Sequence, residues 1–316
     1  MTPGASASSH QPVLVAEVVE LLIGDPEGAY IDLTAGGGGH MKALAKGLGR
    51  VARLYGLDKD PEAVKRARQH LADCGQVKQV VHAAYGDLKT VAGRIGETSY
   101  DGILIDLGLS SDQLADAKRG FSFSIDGPLD MRFDPGSGRP TAAELINSLS
   151  KNELTAILRD FGEVKQAARL AGAIVRERQK RMLTTTRDLA AVVKDHSPPP
   201  HRIKLSARVF QSLRIAVNAE LAELTQVLPD TLSCLKPGGR LAVISYHSLE
   251  DRMVKRFFQE AATGCICPPK LPVCACDKKP QVDIITRRSV TPSENEKAAN
   301  PRSRSARLRV AQRLAS

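Results

Sequence analysis

Ile31-Asp32-Leu33-Thr34-Ala35-Gly36-Gly37-Gly38-Gly39-His40 is the stretch on which the reading of this chain turns. An apolar run closes on an acid, four glycines follow, and residues 40–46 have the composition of a helix start. A glycine turn of this kind lets a ligand approach the backbone closely, because no Cβ stands in the way. The helix behind it offers unpaired N–H groups to an anion or a carboxylate. Outward from this stretch the same alternation recurs. Residues 51–57 form a second apolar run closing at Asp58, and Asp60-Pro61 opens a helix with an N-cap acid and a proline at the first helical position. Residues 80–83 read as a third strand and residues 102–105 as a fourth, ending at Asp106. Strand and helix in alternation predict an α/β fold with a parallel sheet covered on both faces.

Asp58 follows the glycine turn by about twenty residues, the spacing at which a strand-end acid binds both hydroxyls of a ribose. To this point a nicotinamide dinucleotide and S-adenosyl-L-methionine fit equally. The dinucleotide pattern requires a third glycine, and Met41 occupies its place when Gly36 is counted first. Lys236-Pro237-Gly238-Gly239 reads as a tight turn into a buried strand at residues 241–245, and residues 283–288 and 306–309 as late antiparallel strands. That ending resembles the class I (Rossmann-like) methyltransferase architecture and favours S-adenosyl-L-methionine. Asp32 either braces the turn or faces the cofactor's ammonium. His40 reads first as a residue filling a helix start, and Tyr85 as either packing or an adenine-stacking ring.

After Leu107 the pattern breaks. Residues 108–140 are rich in Gly, Ser, Asp and Pro, and helical segments follow at residues 142–147, 151–159, 164–178 and 186–194. Three prolines near residue 199 interrupt them, and residues 206–228 read as one long helix. The order predicts an all-helical domain, residues 115–205, inserted between the fourth and fifth strands of a domain made of residues 1–114 and 206–316. The chain has 316 residues, 42% hydrophobic, and a formal charge of +10, which favours an anionic partner. No apolar run is long enough for a bilayer and residues 1–11 lack the pattern of a signal peptide, so a cytoplasmic protein with no membrane partner is expected. Cys265, Cys267, Cys274 and Cys276 crowd into one Pro-rich segment. Four thiolates there would suit zinc, but one-residue gaps are tighter than the usual ligand spacing, and no metal is expected. The arginines at 302, 304, 307, 309 and 313 make the last segment either a solvated tail or an RNA contact.

Further blocks are specific. Residues 106–114 read Asp-Leu-Gly-Leu-Ser-Ser-Asp-Gln-Leu, residues 119–123 Arg-Gly-Phe-Ser-Phe and residues 127–132 Gly-Pro-Leu-Asp-Met-Arg. Later come Phe-Gln-Ser-Leu-Arg-Ile at 210–215, Val217-Asn218, and Ser-Tyr-His-Ser-Leu-Glu-Asp-Arg at 245–252, with His-Gln-Pro-Val-Leu at 10–14. In this order they resemble the RsmH/MraW family of ribosomal RNA methyltransferases, from about residue 10 to the end. The resemblance implies N4-methylation of a cytidine in small-subunit (16S) ribosomal RNA near the decoding centre. The implied partner is that RNA or the small ribosomal subunit, and a homodimer is left open. It places cofactor contacts on Gly38, Gly39, His40, Asp58, Tyr85, Asp106 and Gln113. Tyr85 and Tyr246 stand where relatives can carry Phe, and residues 204–208 depart from the family's usual spelling.

A cytosine amine is a poor nucleophile, because its lone pair is delocalised into the ring. Acceptors aimed at the N4 protons would pull it towards tetrahedral geometry. Asp106 is the candidate acceptor, or else it only frames the cofactor pocket. Tyr246 and His247, at the carboxyl edge of the fifth strand, are candidates to stack on or orient the base, while Ser248 is expected to cap a helix with Glu250 and Asp251 complementing its dipole. Arg119, Arg132 and Arg214 are either RNA contacts or internal ion pairs. The competing functions are a DNA or small-molecule amino-methyltransferase and a non-catalytic RNA-binding protein. Leu107-Gly108-Leu109 after Asp106 argues against the first, and the intact run from Gly36 to Gln113 against the second.

Overall fold

The computed structural model describes residues 12–265, 267, 276 and 278–315; His10, Gln11 and Cys274 lie outside them. Five strands run parallel: β1 (Ala29–Asp32), β2 (Arg53–Asp58), β3 (Val77–His82), β4 (Tyr100–Asp106) and β5 (Leu235–Ser245). With β6 (Val282–Ile284) and β7 (Arg307–Arg313) they make a seven-stranded sheet in the order β3-β2-β1-β4-β5-β7-β6, β7 antiparallel to both neighbours. The predicted α/β class and the class I methyltransferase sheet are what the chain forms. The order reverses between β1 and β4, and ligands of such sheets bind outside the carboxyl ends at that switch point.

The central strands are buried on both faces, as parallel strands must be. Ile31, Leu57, Ile103, Ile105, Leu241 and Val243 enter one core, and Tyr30, Leu54, Leu104, Ala242 and Ile244 the other, following the two-residue alternation of a strand. Four helices accompany the first four strands: α1 (Val15–Leu22), α2 (Gly39–Gly47), α3 (Pro61–His70) and α4 (Leu88–Ile95). Asp60 caps α3 as expected, its Oδ1 accepting from the Glu62 N–H at 3.0 Å with Pro61 at the first position.

Leu109–Ala222 form a compact unit with a core of their own, and Met1–Gly108 with Glu223–Ser316 form the other. The helical unit therefore extends beyond the expected residues 115–205. It contains α5 (Ser111–Ala115), α6 (Ala142–Ser148), α7 (Lys151–Asp160), α8 (Ala167–Lys180), α9 (Thr186–Asp195) and α10 (Arg202–Asn218). Val209, Phe210, Leu213 and Val217 of α10 pack into its core, which is why the boundary moves past residue 205. Ser110, Thr141, Ser150 and Thr185 each start a helix through a reciprocal capping box. Ser150→Ala is expected to lower stability by about 1 kcal/mol, read as a lower denaturant midpoint at unchanged slope.

Three helices complete the chain: α11 (Glu220–Cys234), α12 (Ser248–Ala262) and α13 (Glu294–Ala299). The expected single helix over residues 206–228 is broken at Ala219, which has φ +53°. Asn218 explains the break. Its amide donates to the carbonyls of Met131 and Arg214, and its Oδ1 accepts from the Phe133 N–H. Arg214 and Glu220 then close a buried two-bond pair at 2.8 and 2.9 Å across the break. The Lys236–Gly239 turn is likewise a bulge inside β5. Tyr100 pairs with Leu235 and Gly102 with Arg240, so the four residues are extruded opposite Asp101, whose carboxylate receives the Lys236 ammonium at 2.7 Å.

Candidate active site

The glycine turn is built by backbone that only glycine adopts readily. Gly36 has φ +53° and Gly38 φ +85°, and the Gly38 N–H donates to the Ala35 carbonyl at 2.8 Å before α2 begins at Gly39. Asp58 holds this turn to the second strand. Its Oδ2 accepts from the Gly36 N–H at 2.7 Å and its Oδ1 from the Asp60 N–H at 2.8 Å. Burial pushes its carboxyl up to about 6 against the lowering effect of those two donors. The acid expected to bind a ribose thus also has two structural duties, and each oxygen keeps a second lone pair for a ligand hydroxyl.

Asp32, at the end of β1, is fully buried. Its Oδ1 accepts from the backbone and the hydroxyl of Thr34 at 2.9 and 3.2 Å, while its Oδ2 is buried with no hydrogen-bond partner among the described residues. Burial raises its carboxyl to about 6, restrained by the charge of His40 and by Thr34. Thr34 also accepts from the Asp106 N–H at 2.6 Å, linking the ends of β1 and β4. Spacing gave no sign of this residue.

His40 and Asp106 meet at this edge. His40 Nε2 lies 2.9 Å from the Val13 carbonyl, which can only accept, so Nε2 carries a hydrogen. Its Nδ1 faces Asp106 Oδ2 at 3.5 Å, and an imidazole nitrogen and a carboxylate oxygen attract only with a proton between them. Burial lowers the imidazole and pushes the Asp106 carboxyl up to about 7. The other oxygen, Oδ1, accepts from the Tyr246 hydroxyl at 3.0 Å. The Tyr246 ring fits because Gly108 lies beside it at φ +107°; a Cβ there would come within 3.1 Å of the ring.

Tyr246 is held in turn by α12. Glu250, 2% exposed, accepts from the backbone N–H groups of Tyr246 and His247 through Oε2, while His247 Nδ1 accepts from the Glu250 N–H. The N-cap is therefore His247, not Ser248 as expected, because an imidazole nitrogen serves as cap acceptor and Glu250 completes the box. Glu250 went unrecognised as the organiser of this corner; its three-residue spacing from His247 was the available signal.

Asp32, His40, Asp58, Asp106 and Tyr246 thus gather with the Gly38-Gly39 turn at the carboxyl edge of the sheet. Tyr85 begins the turn after β3 and packs partly buried against the first core. Gln113 belongs to the helical unit, where its Oε1 accepts from the Ser110 N–H in the α5 cap. Of the arginines weighed for RNA, Arg119 donates to the Arg132 and Phe133 carbonyls, Arg132 pairs with Asp130 and Arg214 with Glu220. In the C-terminal segment Arg309 is buried against Asp251 at 2.7 Å, and Arg313 donates to the Leu232 and Leu235 carbonyls. These two hold the sheet and are not part of a solvated tail.

The unpartnered Asp32 oxygen fits an ammonium group, the Asp58 lone pairs fit a diol, and the Cβ positions of Gly36 and Gly37 in the turn between them are open. The chain matches the MraW methylase family over residues 7–314. It belongs to that family. It is 47% identical over 308 residues to the Ribosomal RNA small subunit methyltransferase H of Syntrophotalea carbinolica, covering 96% of this chain and 98% of that one. It is 46% identical over 309 residues to the protein of the same name from Heliobacterium modesticaldum, with the same coverage. A solved rRNA methylase from Streptococcus thermophilus shares 12% identity at a TM-score of 0.40, covering 95% of this chain and 94% of that one. As an MraW-family methylase the protein uses S-adenosylmethionine, the cofactor its sequence led one to expect. No described helix is long and apolar enough to cross a membrane.

Proposed function

We propose that the protein methylates the N4 amine of a specific cytidine in small-subunit (16S) ribosomal RNA, near the decoding centre, in the cytoplasm. The observation that carries this reading is the Asp106 carboxylate, set between Tyr246 and His40 at the edge of the sheet where Asp32 and the glycine turn lie. Bound S-adenosylmethionine supplies an electrophilic sulfonium methyl. Asp32 would take its ammonium and Asp58 its ribose, with the backbone of Gly38 and Gly39 at the start of α2 beside them.

Asp106 accepts an N4 hydrogen and draws the amine's lone pair out of the ring plane. As the new bond forms that hydrogen becomes acidic, and a carboxylate near 7 suffices to take it. Tyr246 fixes the orientation of the carboxylate, and His247 and Glu250 fix Tyr246. The helical unit is proposed to dock on RNA phosphates. It carries a groove of about 390 Å³ that includes Lys165, Arg169, His196, His201, Lys204 and Arg208, a lining suited to salt-dependent binding.

The test is transfer of labelled methyl to small ribosomal subunits that lack the modification. Labelled N4-methylcytidine is the expected product. Cofactor binding without label in any ribosomal RNA would turn the reading towards an RNA-binding protein. The pH profile is a second check. The accepting form is the carboxylate, so turnover rises as pH increases through about 7 and levels above it. The Tyr246 hydroxyl lowers the Asp106 carboxyl, so Tyr246→Phe moves that midpoint upward; a flat profile, or a downward shift in the variant, counts against Asp106 as acceptor.

A further inference from the structure

We propose that Cys265, Cys267 and Cys276 form a thiolate zinc site between α12 and β6. All three Sγ atoms lie within 4.8 Å of one another. Cys265 and Cys276 are 3.8 Å apart, far beyond the length of a disulfide, about 2.05 Å. Four sulfurs about 2.3 Å from a central zinc in tetrahedral array stand about 3.8 Å from each other. The Cys265–Cys276 separation is that of two ligands on one ion, and Cys267 lies near enough to be a third.

Two further features suit a metal. The Cys267 N–H donates to Cys265 Sγ at 3.4 Å, an interaction that favours the thiolate and orients its remaining lone pairs. The limbs that carry the cysteines are anchored independently of them. The Gln281 N–H donates to the Ala261 carbonyl at 2.7 Å, and the Lys278 ammonium to the Glu260 carbonyl at 3.0 Å. These two bonds hold residues 260–261 and 278–281 together next to the cysteines with no need of a metal. Soft sulfur donors in this geometry select zinc over the oxygen-seeking cations. Each thiol that ligates releases its proton, and a ligand outside these three fills the remaining tetrahedral position. The ion would clamp the end of α12 to the start of β6, away from the methyl-transfer residues, so the assignment is independent of the proposed substrate.

Full-length reduced protein stripped with a chelator would be titrated with zinc against a chromophoric competitor, and in parallel with cobalt. One equivalent per chain is expected, with the thiolate-to-cobalt charge-transfer and visible bands of a tetrahedral site. Loss of an outer-shell partner costs a metal site about 10–100-fold in affinity. Losing a direct ligand in Cys276→Ser should therefore weaken zinc by more than about 100-fold, while Cys74→Ser leaves it unchanged. Retained S-adenosylmethionine binding would show that the Cys276 variant is folded. Binding well below one equivalent, absence of the cobalt bands, or wild-type affinity in Cys276→Ser would overturn the assignment. A Cys265–Cys276 disulfide in protein kept under reducing conditions would do the same.

Discussion

Asp106→Asn is expected to lower the rate of methyl transfer by about 10²–10⁴-fold, the range that a positioned proton acceptor contributes, while leaving cofactor and RNA binding within a few-fold of wild type. The substitution is nearly isosteric and each neighbour keeps a partner. The amide oxygen still accepts from the Tyr246 hydroxyl, and the amide nitrogen presents a hydrogen to the His40 Nδ1 that now faces Asp106 at 3.5 Å. His40 then holds its single hydrogen on Nε2, against the Val13 carbonyl. What is lost is the capacity to take a proton. Single-turnover transfer from labelled cofactor measures this directly, free of product release. A decrease smaller than about tenfold would reduce Asp106 to a wall of the pocket.

Asp32→Asn is expected to do two opposite things. Cofactor affinity should fall by about 30-fold or more, since a charged hydrogen-bonded partner of the ammonium disappears and such losses run to about 2–5 kcal/mol. The protein without cofactor should become more stable. Asp32 carries a buried oxygen with no partner among the described residues, and burial raises its carboxyl from 3.8 to about 6. A raised carboxyl means that the folded state binds the extra proton, so stability falls as pH rises between 3.8 and about 6. Above that window the cost is constant, on the order of 3 kcal/mol, since each factor of ten in proton affinity is worth about 1.4 kcal/mol. Asn removes the charge while its oxygen keeps the Thr34 bonds. Thermal unfolding without cofactor should favour the variant at pH 7 and show the two proteins converging towards pH 4; unfolding with saturating cofactor should favour wild type. Loss of stability in both conditions would mean that the carboxylate has a partner and is not held in waiting for a ligand.

Both predictions rest on residues that were legible for a simple reason. Asp32, Asp58 and Asp106 each end an apolar run, and in a parallel sheet such positions share one edge, so their gathering follows from strand period alone. Their partners did not follow. His40, Asp106 and Tyr246 come from three distant parts of the chain, and no spacing rule joins them. Asp58 braces the glycine turn through backbone N–H groups, which carry no signature in residue type. The helix break at Ala219 was hidden because alanine favours helix; the decision lies with Asn218, whose partners at residues 131–133 are far away in sequence. The Lys236–Gly239 bulge was read as a turn because the residues are those of a turn, and only the pairing of β4 with β5 shows that the strand continues through it. His247 displaced Ser248 as cap because the capping acceptor was a ring nitrogen, outside the usual set of oxygen caps.

One contact bears on how the molecule comes into being. The Leu14 N–H donates to Glu296 Oε1 at 2.8 Å, next to the Val13 carbonyl that sets the hydrogen of His40. A ribosome making this chain has emitted the glycine turn and β1 long before residue 296 exists. Until that late segment emerges, the Leu14 N–H lacks this acceptor beside the carbonyl that holds His40. Completion of the surroundings of His40 is therefore a late event of biosynthesis: a nascent chain stalled short of residue 296 holds the sequence of β1 to β6 but not the Glu296 acceptor.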